Sequence, residues 1–197
     1  MLEFKNKKYI IVLLIIFTSW SGILHAEKLK YRFLDKGIII DNKIIKLYDT
    51  EKFITELLSK KGLQEKDWHF PEFKSYDYYD EQNKIYFGFG LDEHGEIVGI
   101  SLSKEVEKPT FGKIKPYNIR LKEKVKTLKG ITIGDLVRKV EETYGKPTYI
   151  DKVRDITIYR YYCSKEEAPN EGIRVTFGIE LEFKNDKVIS ISISDGS

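Results

Sequence analysis

The sequence predicts an α+β protein made of two tandem helix-plus-antiparallel-sheet units, whose sheets are either separate or continuous. Two segments have the apolar spacing of short amphipathic helices, and each ends at a glycine. Each is followed by the apolar–polar alternation that is typical of half-buried strands. The same landmarks recur in the same order in both halves, which indicates an internal repeat.

The first helix is predicted within 49–62 and the second within 134–147. Apolar residues recur at helical spacing in both segments: Phe53, Ile54, Leu57 and Leu58 in the first, and Leu136, Val137, Val140 and Tyr144 in the second. Asp49 or Thr50 can cap the first helix and Asp135 the second. Gly62 and Gly145 suit the two C-terminal ends.

A Tyr-x-Tyr-Tyr phrase fixes the alignment of the two copies. Tyr76 follows Gly62 by 14 residues and Tyr159 follows Gly145 by 14, so both landmarks are offset by 83. Phe87-Gly88 matches Phe177-Gly178, and 97–103 matches 188–194. The units are therefore predicted at 37–104 and 130–195, joined by a linker, 105–129, in which strands are expected. Chance similarity of amphipathic segments is the alternative.

The repeat also bears on the phrase "YDYYDEQ" (76–82). Its counterpart "YRYYCSK" keeps the three tyrosines but replaces Asp77 by Arg160 and Asp80 by Cys163. We therefore expect the tyrosines to be architectural first, with the acids available for partner specificity at most.

Alternation predicts strands in "IYFGFGLD" (85–92) and "RVTFGIELEF" (174–183), with hairpin turns at 92–96 and 184–186. With a helix over the apolar side, the other side keeps mostly small residues. Solvated sheets usually carry long polar side chains instead, so a large partner could lie on this surface. The alternative is that a terminal segment, the linker or a second copy of the protein covers it. The residues predicted to contact a partner are Trp68, Tyr76, Tyr86, Ser101, Arg174, Thr176, Glu180, Ser190 and Ser192.

Two of these residues, Trp68 and Tyr76, are expected to be aromatic anchors at the border of the surface. Trp68, in "KDWHFPEF", has an equal interpretation as a core plug between helix and sheet.

Residues 1–26 are typical of a secretory signal peptide. They combine a lysine-rich start, an apolar run at 9–17 and a small residue, Ala26, at the end. The run is shorter than the roughly 20 residues of a membrane-spanning helix, so a retained anchor is the minor alternative. Cleavage near Ala26 would give a periplasmic or secreted protein. It would also remove three lysines and Glu3, which lowers the formal net charge from +3 to +1. We therefore expect no nucleic acid and, after cleavage, no membrane as partner.

No motif for catalysis, metal or cofactor binding is recognisable. His69 and His94 have no metal-ligand spacing, and "GISLS" lacks the second glycine of a nucleophile elbow. Cys163 is the one cysteine, so it forms no internal disulfide; it is either a small buried residue or a reactive thiol. We expect no catalytic residue, no metal and no cofactor.

Carboxylate pairs leave an enzyme as a lesser hypothesis. Asp77 with Asp80, or Glu180 with Glu182, are pairs of the kind that glycosidases use. Such pairs also arise by chance in a chain that is one third charged. A small hydrolase therefore ranks third among the functions considered.

Two protein groups resemble this layout. The tandem duplication resembles the β-lactamase inhibitory protein architecture, in which a sheet surface docks on a target enzyme. "GITIGDLVRKVEETYGKP" (130–147) resembles a phrase shared by that group and small outer-membrane assembly lipoproteins. The stretches 76–103 and 109–121 resemble a domain of bacterial immunity proteins of contact-dependent and type VI secretion systems. Tyr79-Asp80 would be its aromatic–Asp step and Phe111-Gly112-Lys113-Ile114 its later strand; glycine directly after Phe, and Tyr in place of Trp, are departures.

The second resemblance implies a periplasmic protein that binds and blocks a toxic effector by occlusion. The predicted function is thus an immunity or inhibitor protein that neutralises a secreted toxin or enzyme by covering its active site. A structural envelope assembly or adaptor module is the alternative. Whether the protein is a monomer or a homodimer stays open.

Overall fold

The computed structural model describes residues 35–65, 74–104, 116–162 and 177–195, all within one unit, Leu34–Ser197. In these ranges the chain forms twelve strands, two α-helices and a 3-10 turn at Lys60–Gly62. The helices are α1 (Glu51–Leu57) and α2 (Val137–Tyr144). The strands are β1 (Gly37–Ile40), β2 (Lys43–Lys46), β3 (Leu63–Glu65), β4 (Lys74–Asp80), β5 (Ile85–Leu91), β6 (Ile97–Ser103), β7 (Tyr117–Ile119), β8 (Lys126–Thr127), β9 (Tyr149–Val153), β10 (Ile156–Tyr162), β11 (Phe177–Lys184) and β12 (Lys187–Asp195).

Nine of the strands form one large sheet. Its order is β3-β4-β5-β6-β12-β11-β10-β9, and β7 pairs with β4 in parallel while the other neighbours are antiparallel. The two halves meet where β6 pairs with β12, with Ser101 opposite Ser192. From this pair, consecutive strands run outward on each side. The remaining strands form a smaller sheet of order β2-β1-β8.

The predicted fold class, two tandem helix-plus-sheet units, is wrong. The described part of the chain is mostly β, and its two helices span only seven and eight residues. The strands that follow the helices in both halves belong to a single sheet. A second, smaller sheet consists of β1 and β2, which the sequence pattern did not predict, and β8 of the linker. Sequence reasoning missed the β1–β2 hairpin because "GIII" and "KIIK" lack clear alternation. Its turn, Asp41-Asn42, has both residues at positive φ, which is typical of a tight two-residue hairpin.

The hydrophobic core lies on one face of the large sheet. The buried residues of this face include Tyr76, Tyr78, Phe87, Phe89, Ile100, Leu102, Ile179, Leu181, Ile191 and Ile193. Ile54 of α1 and Val140 of α2 are also buried. Phe53 and Leu136, which were predicted on the buried helix faces, are 39% and 53% exposed. Leu136 precedes the first turn of α2 and forms a β-bridge with Lys187 instead.

Two tyrosines of β4 bond to the segment that contains α1. The Tyr76 hydroxyl donates to Glu51 Oε1 at 2.5 Å, and the Tyr78 hydroxyl donates to the carbonyl oxygen of Ser59 at 2.6 Å. Both rings are buried, and their centroids lie 6.5 Å apart in a stacked arrangement. Burial raises the pKa of both hydroxyls, with Glu51 contributing at Tyr76.

The equivalent tyrosines of β10 repeat this arrangement with α2. The Tyr159 hydroxyl donates to Glu141 at 3.0 Å, and the Tyr161 hydroxyl donates to the carbonyl oxygen of Gly145 at 3.2 Å. In both halves the first tyrosine bonds a helix glutamate and the second bonds a carbonyl beyond the helix. The architectural role predicted for the tyrosines of the two phrases is therefore confirmed for these four. Tyr79, the third tyrosine of the first phrase, lies on the opposite face of β4 beside Tyr86 instead.

The strand register corrects one predicted match of the repeat. Phe87 lies opposite Tyr78, and Ile179 lies opposite Tyr161. Ile179 therefore takes the place of Phe87, and the predicted match of Phe87 with Phe177 is wrong by two residues. Because the shift is even, each residue still faces the predicted side of the sheet.

Candidate functional site

The face of the large sheet opposite to the core carries small side chains across its four central strands. Three rows of cross-strand neighbours run over β5, β6, β12 and β11 in that order. The rows are Tyr86, Ser103, Ser190 and Glu182; Gly88, Ser101, Ser192 and Glu180; and Gly90, Gly99, Ser194 and Gly178. We call this surface the serine–glycine face.

Part of the serine–glycine face forms the floor of a groove of about 300 Å³. Asp77 and Tyr86 line one side of the groove, and Glu180 and Glu182 line the other. Pro116, which precedes β7, also contributes. The described residues that line the groove include three carboxylates and no lysine or arginine.

The groove collects part of the predicted site. Five of the predicted contact residues line it: Tyr86, Ser101, Glu180, Ser190 and Ser192. Tyr76 lies on the core face, where only 1% of it is exposed, so its ring takes no part in the groove. Trp68, Arg174 and Thr176 lie outside the described residues.

Two lining acids, Asp77 and Glu182, were not among the predicted contact residues. Asp77 alternates with Tyr76 and Tyr78 along β4, which places it on the opposite face of the strand. Glu182 lies two residues beyond Glu180 in β11 and therefore shares its face. Strand alternation alone was sufficient to find both residues.

Asp80 has a different role from Asp77, although both belong to the same strand. Asp80 is fully buried and accepts hydrogen bonds from the backbone N–H groups of Gln82 and Leu121 and from the side-chain amide of Asn83. Asp77 accepts a hydrogen bond from the Ser75 hydroxyl at 2.9 Å. The two carboxylates face opposite sides of the sheet, so the predicted Asp77–Asp80 pair forms no common site.

Arg160 lies beyond Glu180 in the row that contains Ser101 and Ser192. Its Nε atom donates to Glu180 at 2.5 Å, and its guanidinium also pairs with Asp151. Arg160 and Asp77 are equivalent residues of the two halves, so the two ends of this row carry opposite charges. Two carboxylates offset the positive charge of Arg160.

Three glycines, Gly88, Gly90 and Gly99, keep the serine–glycine face low, and Gly88 is the one among them that lines the groove. A Cβ atom at Gly88 would lie 2.6 Å from Asp77 Oδ1 and 3.4 Å from the Ser101 hydroxyl oxygen, so the Asp77 carboxylate extends over the position that a side chain would fill. Gly90 and Gly99 face each other on adjacent strands, and a Cβ atom at either would have no neighbour within 4 Å. Glycine within a strand costs about 0.5–1 kcal/mol relative to alanine. At Gly90 and Gly99 the neighbouring atoms leave room for a side chain, so internal packing does not explain why these two residues are glycine.

A tyrosine pair forms the border of the groove. The rings of Tyr86 and Tyr79 lie 4.4 Å apart between centroids, and the Lys84 ammonium lies 6.0 Å from the Tyr79 ring. Burial, followed by the nearby Tyr79, raises the pKa of the Tyr86 hydroxyl. Tyr86 is half-buried, and its hydroxyl is neutral at neutral pH because its pKa lies above the ordinary value of about 10.

Within the described ranges, no group of three or more His, Cys, Asp and Glu side chains is placed to hold a metal ion. In the same ranges, no helix has the length and apolar character needed to cross a membrane.

No protein-family model matches the sequence, and no curated protein matches it. Among solved structures, the chain is similar to a DUF4309 family protein (YjgB) from Bacillus subtilis. The two share 12% sequence identity over 75% of this chain and 78% of the other, with a TM-score of 0.38. A likeness at this level carries no argument about function.

Proposed function

We propose that this is a periplasmic or secreted protein that binds another protein and neutralises a secreted toxin or enzyme by covering its active site. The observation that carries the proposal is the serine–glycine face, an open sheet surface whose central strands bear few long side chains. Sheets that face only water usually protect such a surface with long charged residues.

The physical properties of this face favour docking of a folded partner. A sheet of paired strands is rigid, so binding orders little of the chain, and the small side chains lose little rotamer entropy. Tyr86 adds a large ring with few rotatable bonds at the border. Specific protein–protein interfaces bury about 1,600 Å² in total, which is about 800 Å² on each partner. A face that extends over four neighbouring strands is wide enough to supply one side of such an interface.

The proposal is tested by site-specific photocrosslinking in cells of the native host. A photoreactive phenylalanine analogue replaces Ser101 on the serine–glycine face, or Lys52 on α1, whose side chain is 80% exposed. Both positions accept a large side chain without loss of core packing. We expect one protein to be captured from position 101 and not from position 52.

The captured protein is then purified, and its enzymatic or toxic activity is measured with and without the protein described here. Inhibition in proportion to complex formation supports the proposal. Failure to capture a partner from position 101, or a captured protein whose activity is unchanged in the complex, contradicts it. The second outcome would favour the envelope adaptor instead.

A further inference from the structure

Strand β9 lies at one edge of the large sheet. It pairs with β10 along its whole length, and within the described ranges no strand lies on its other side. All five of its residues are exposed, and three large side chains, Tyr149, Ile150 and Val153, are between 54% and 60% exposed. An edge strand offers a row of backbone N–H and C=O groups to which a further strand can bond. β9 therefore combines an open edge with apolar side chains.

The other edge strands of the described chain carry features that discourage pairing. β3, β7 and β8 have only two or three residues each. β2 has four residues, and it begins and ends with a lysine. Very short strands and lysines at an edge are devices by which proteins prevent their sheets from joining. β9 is longer than all of these, and its two charged residues, Asp151 and Lys152, are adjacent and of opposite sign. We therefore expect β9, and not another edge, to receive an added strand.

A second copy of the chain can supply that strand. A twofold axis perpendicular to the sheet pairs β9 with its copy in an antiparallel arrangement, and the residue on the axis faces its own counterpart. Three registers, centred on Ile150, Asp151 or Lys152, pair the middle of the strand. Centring on Asp151 or Lys152 places like charges opposite each other, which is destabilising. Arg160 is already shared by Asp151 and Glu180, so it does not offset a second Asp151.

The register centred on Ile150 has compatible neighbours throughout. The two Ile150 side chains face each other across the axis. Tyr149 lies opposite the partner's Asp151. Thr148, just before β9, lies opposite the partner's Lys152. No like charges meet, so this register is the one that the sequence of β9 favours.

The hydrophobic core also gains from this register. Ile150 lies opposite Tyr159 of β10, on the core face of the sheet. Tyr159 is buried, whereas Ile150 is 54% exposed, so the core ends at β10. A second Ile150 beside the first would extend the core across the edge and remove apolar surface from water.

We infer that β9 binds β9 of a second copy in this register, so that the large sheets of the two copies join into one. The inference goes beyond the proposed function and does not depend on it. Because the twofold axis is perpendicular to the sheet, the serine–glycine faces of both copies point to the same side. A partner with two matching sites would then bind the dimer with increased avidity.

Sedimentation velocity measures the oligomeric state of the processed protein, purified after expression of the full-length gene. One strand pair is smaller than the interface of about 1,600 Å² that stable complexes bury, so we expect a monomer–dimer equilibrium across about a hundredfold range of concentration. Ile150→Lys places two cations opposite each other and should raise the Kd of the dimer at least about tenfold. Ile44→Lys is the matched control on β2, where Ile44 is 47% exposed, and it should leave the Kd unchanged.

Single cysteines report the register directly. In a Cys163→Ser background, Ile150→Cys places two thiols on the twofold axis, at a separation that a disulfide can span. Mild oxidation should therefore join two copies of this variant covalently. Lys152→Cys should stay unlinked, because its counterpart lies about 13 Å away along the strand. An unshifted melting temperature of each variant shows that the fold is intact.

Three results would overturn the inference. The first is a monomer at every concentration, including one whose β9 amides resist hydrogen exchange because another segment of the same chain covers the edge. The second is a dimer whose Kd is the same in Ile150→Lys as in the wild type. The third is cross-linking of Lys152→Cys but not of Ile150→Cys. Capture of a partner from position 101 is a separate readout, so the proposed function can fail or stand independently.

Discussion

Asp77 and Asp80 show how one strand assigns different roles to two acids. They are three positions apart in the strand, an odd number, so strand alternation places them on opposite faces. Asp80 is buried and uses its oxygens to accept hydrogen bonds from the β4–β5 turn and from Leu121. Asp77 lines the groove. The acids of the phrase "YDYYDEQ" therefore serve structure at one position and the surface at the other.

Replacing Asp80 should destabilise the fold strongly. Asp80→Ala leaves two backbone N–H groups and the Asn83 amide without their acceptor, and a buried polar group without a partner costs about 1–3 kcal/mol. We expect the free energy of unfolding, measured with urea, to fall by about 3 kcal/mol. The matched change Asp77→Ala should cost less than about 1 kcal/mol. Equal losses for the two variants would contradict the assignment.

Two glycines of the serine–glycine face, Gly88 and Gly99, should respond to substitution in opposite directions. Gly99→Ala places a methyl group in open space and reduces the freedom of the unfolded chain, so stability should rise by about 0.5–1 kcal/mol. Gly88→Ala brings a methyl group within 2.6 Å of Asp77 Oδ1 and should lower stability. Urea denaturation measures both changes. A stabilising effect at Gly88 would show that Asp77 moves aside without cost.

Tyrosine hydroxyls join the helical segments to the large sheet in both halves. Tyr76 and Tyr78 bond the α1 segment, and Tyr159 and Tyr161 bond the α2 segment. Gly62 contributes to this arrangement, because a Cβ atom there would lie 2.5 Å from the Tyr78 ring. Helices as short as α1 and α2 are marginally stable by themselves, so these hydrogen bonds help to hold both helices against the large sheet.

Removing one of these hydroxyls should destabilise the protein measurably. Tyr78→Phe deletes the bond to the Ser59 carbonyl and keeps the buried ring, so we expect a loss of about 1 kcal/mol in the free energy of unfolding. Tyr79→Phe, on the other face of β4, is the control and should change stability by less than about 0.5 kcal/mol. A Tyr78→Phe variant as stable as the wild type would show that the bond contributes nothing.

Alkaline pH should unfold the protein by ionising buried tyrosines. Burial raises the pKa of Tyr78, Tyr144 and Tyr161 above the value of about 10 that tyrosine has in an unfolded chain. The folded state therefore keeps protons that the unfolded state loses above this pH, so the stability present below pH 10 falls as the pH rises further. The melting temperature should stay level between about pH 7 and pH 9 and then decrease.

Substitution of Tyr144 tests whether buried tyrosines cause the loss of stability at alkaline pH. Its hydroxyl donates to Asp35 and shares a hydrogen bond with Thr127 at 2.8 Å, and burial followed by Asp35 raises its pKa. Tyr144→Phe should make the alkaline decrease shallower, whereas Tyr149→Phe, at a side chain that is 60% exposed, should not. An unchanged pH profile in Tyr144→Phe would contradict this cause.

Local pattern predicted the single elements better than their assembly. The hairpins around 92–96 and 184–186 form where alternation indicated, and α2 ends at Gly145 as predicted. α1 lies within its predicted segment but ends at Leu57, five residues before the predicted stop at Gly62, which belongs to the 3-10 turn instead. The single sheet was not fixed by local pattern, because the β6–β12 pairing joins residues about 90 positions apart in the sequence. The acids of the groove were within reach of alternation, but the bond from Arg160 to Glu180 depends on strand register. Alternation shows which face of a strand a residue occupies, but the residue that lies opposite it depends on which strands pair and on the connection between them.

At the scale of the described part of the chain, the large sheet has the hydrophobic core on one face and the serine–glycine face on the other. The β6–β12 pair lies at its centre, so the serine–glycine face draws equally on both halves of the chain. The repeat therefore extends one sheet surface, where two separate units would have supplied two smaller ones. Among the described residues that line the groove, Asp77 lies at one side and Glu180 and Glu182 lie at the other.

We propose that the serine–glycine face is the surface that binds and inhibits a partner. The most direct measurement is inhibition of the partner captured from position 101 by the wild type, by Ser192→Arg and by the α1 control Lys52→Arg. Ser192→Arg places a long cationic side chain at the middle of the face and should raise the inhibition constant about 100-fold, the effect of a lost interface hot spot. Its melting temperature should match that of the wild type, and Lys52→Arg should inhibit normally. Full inhibition by a folded Ser192→Arg variant would contradict the claim.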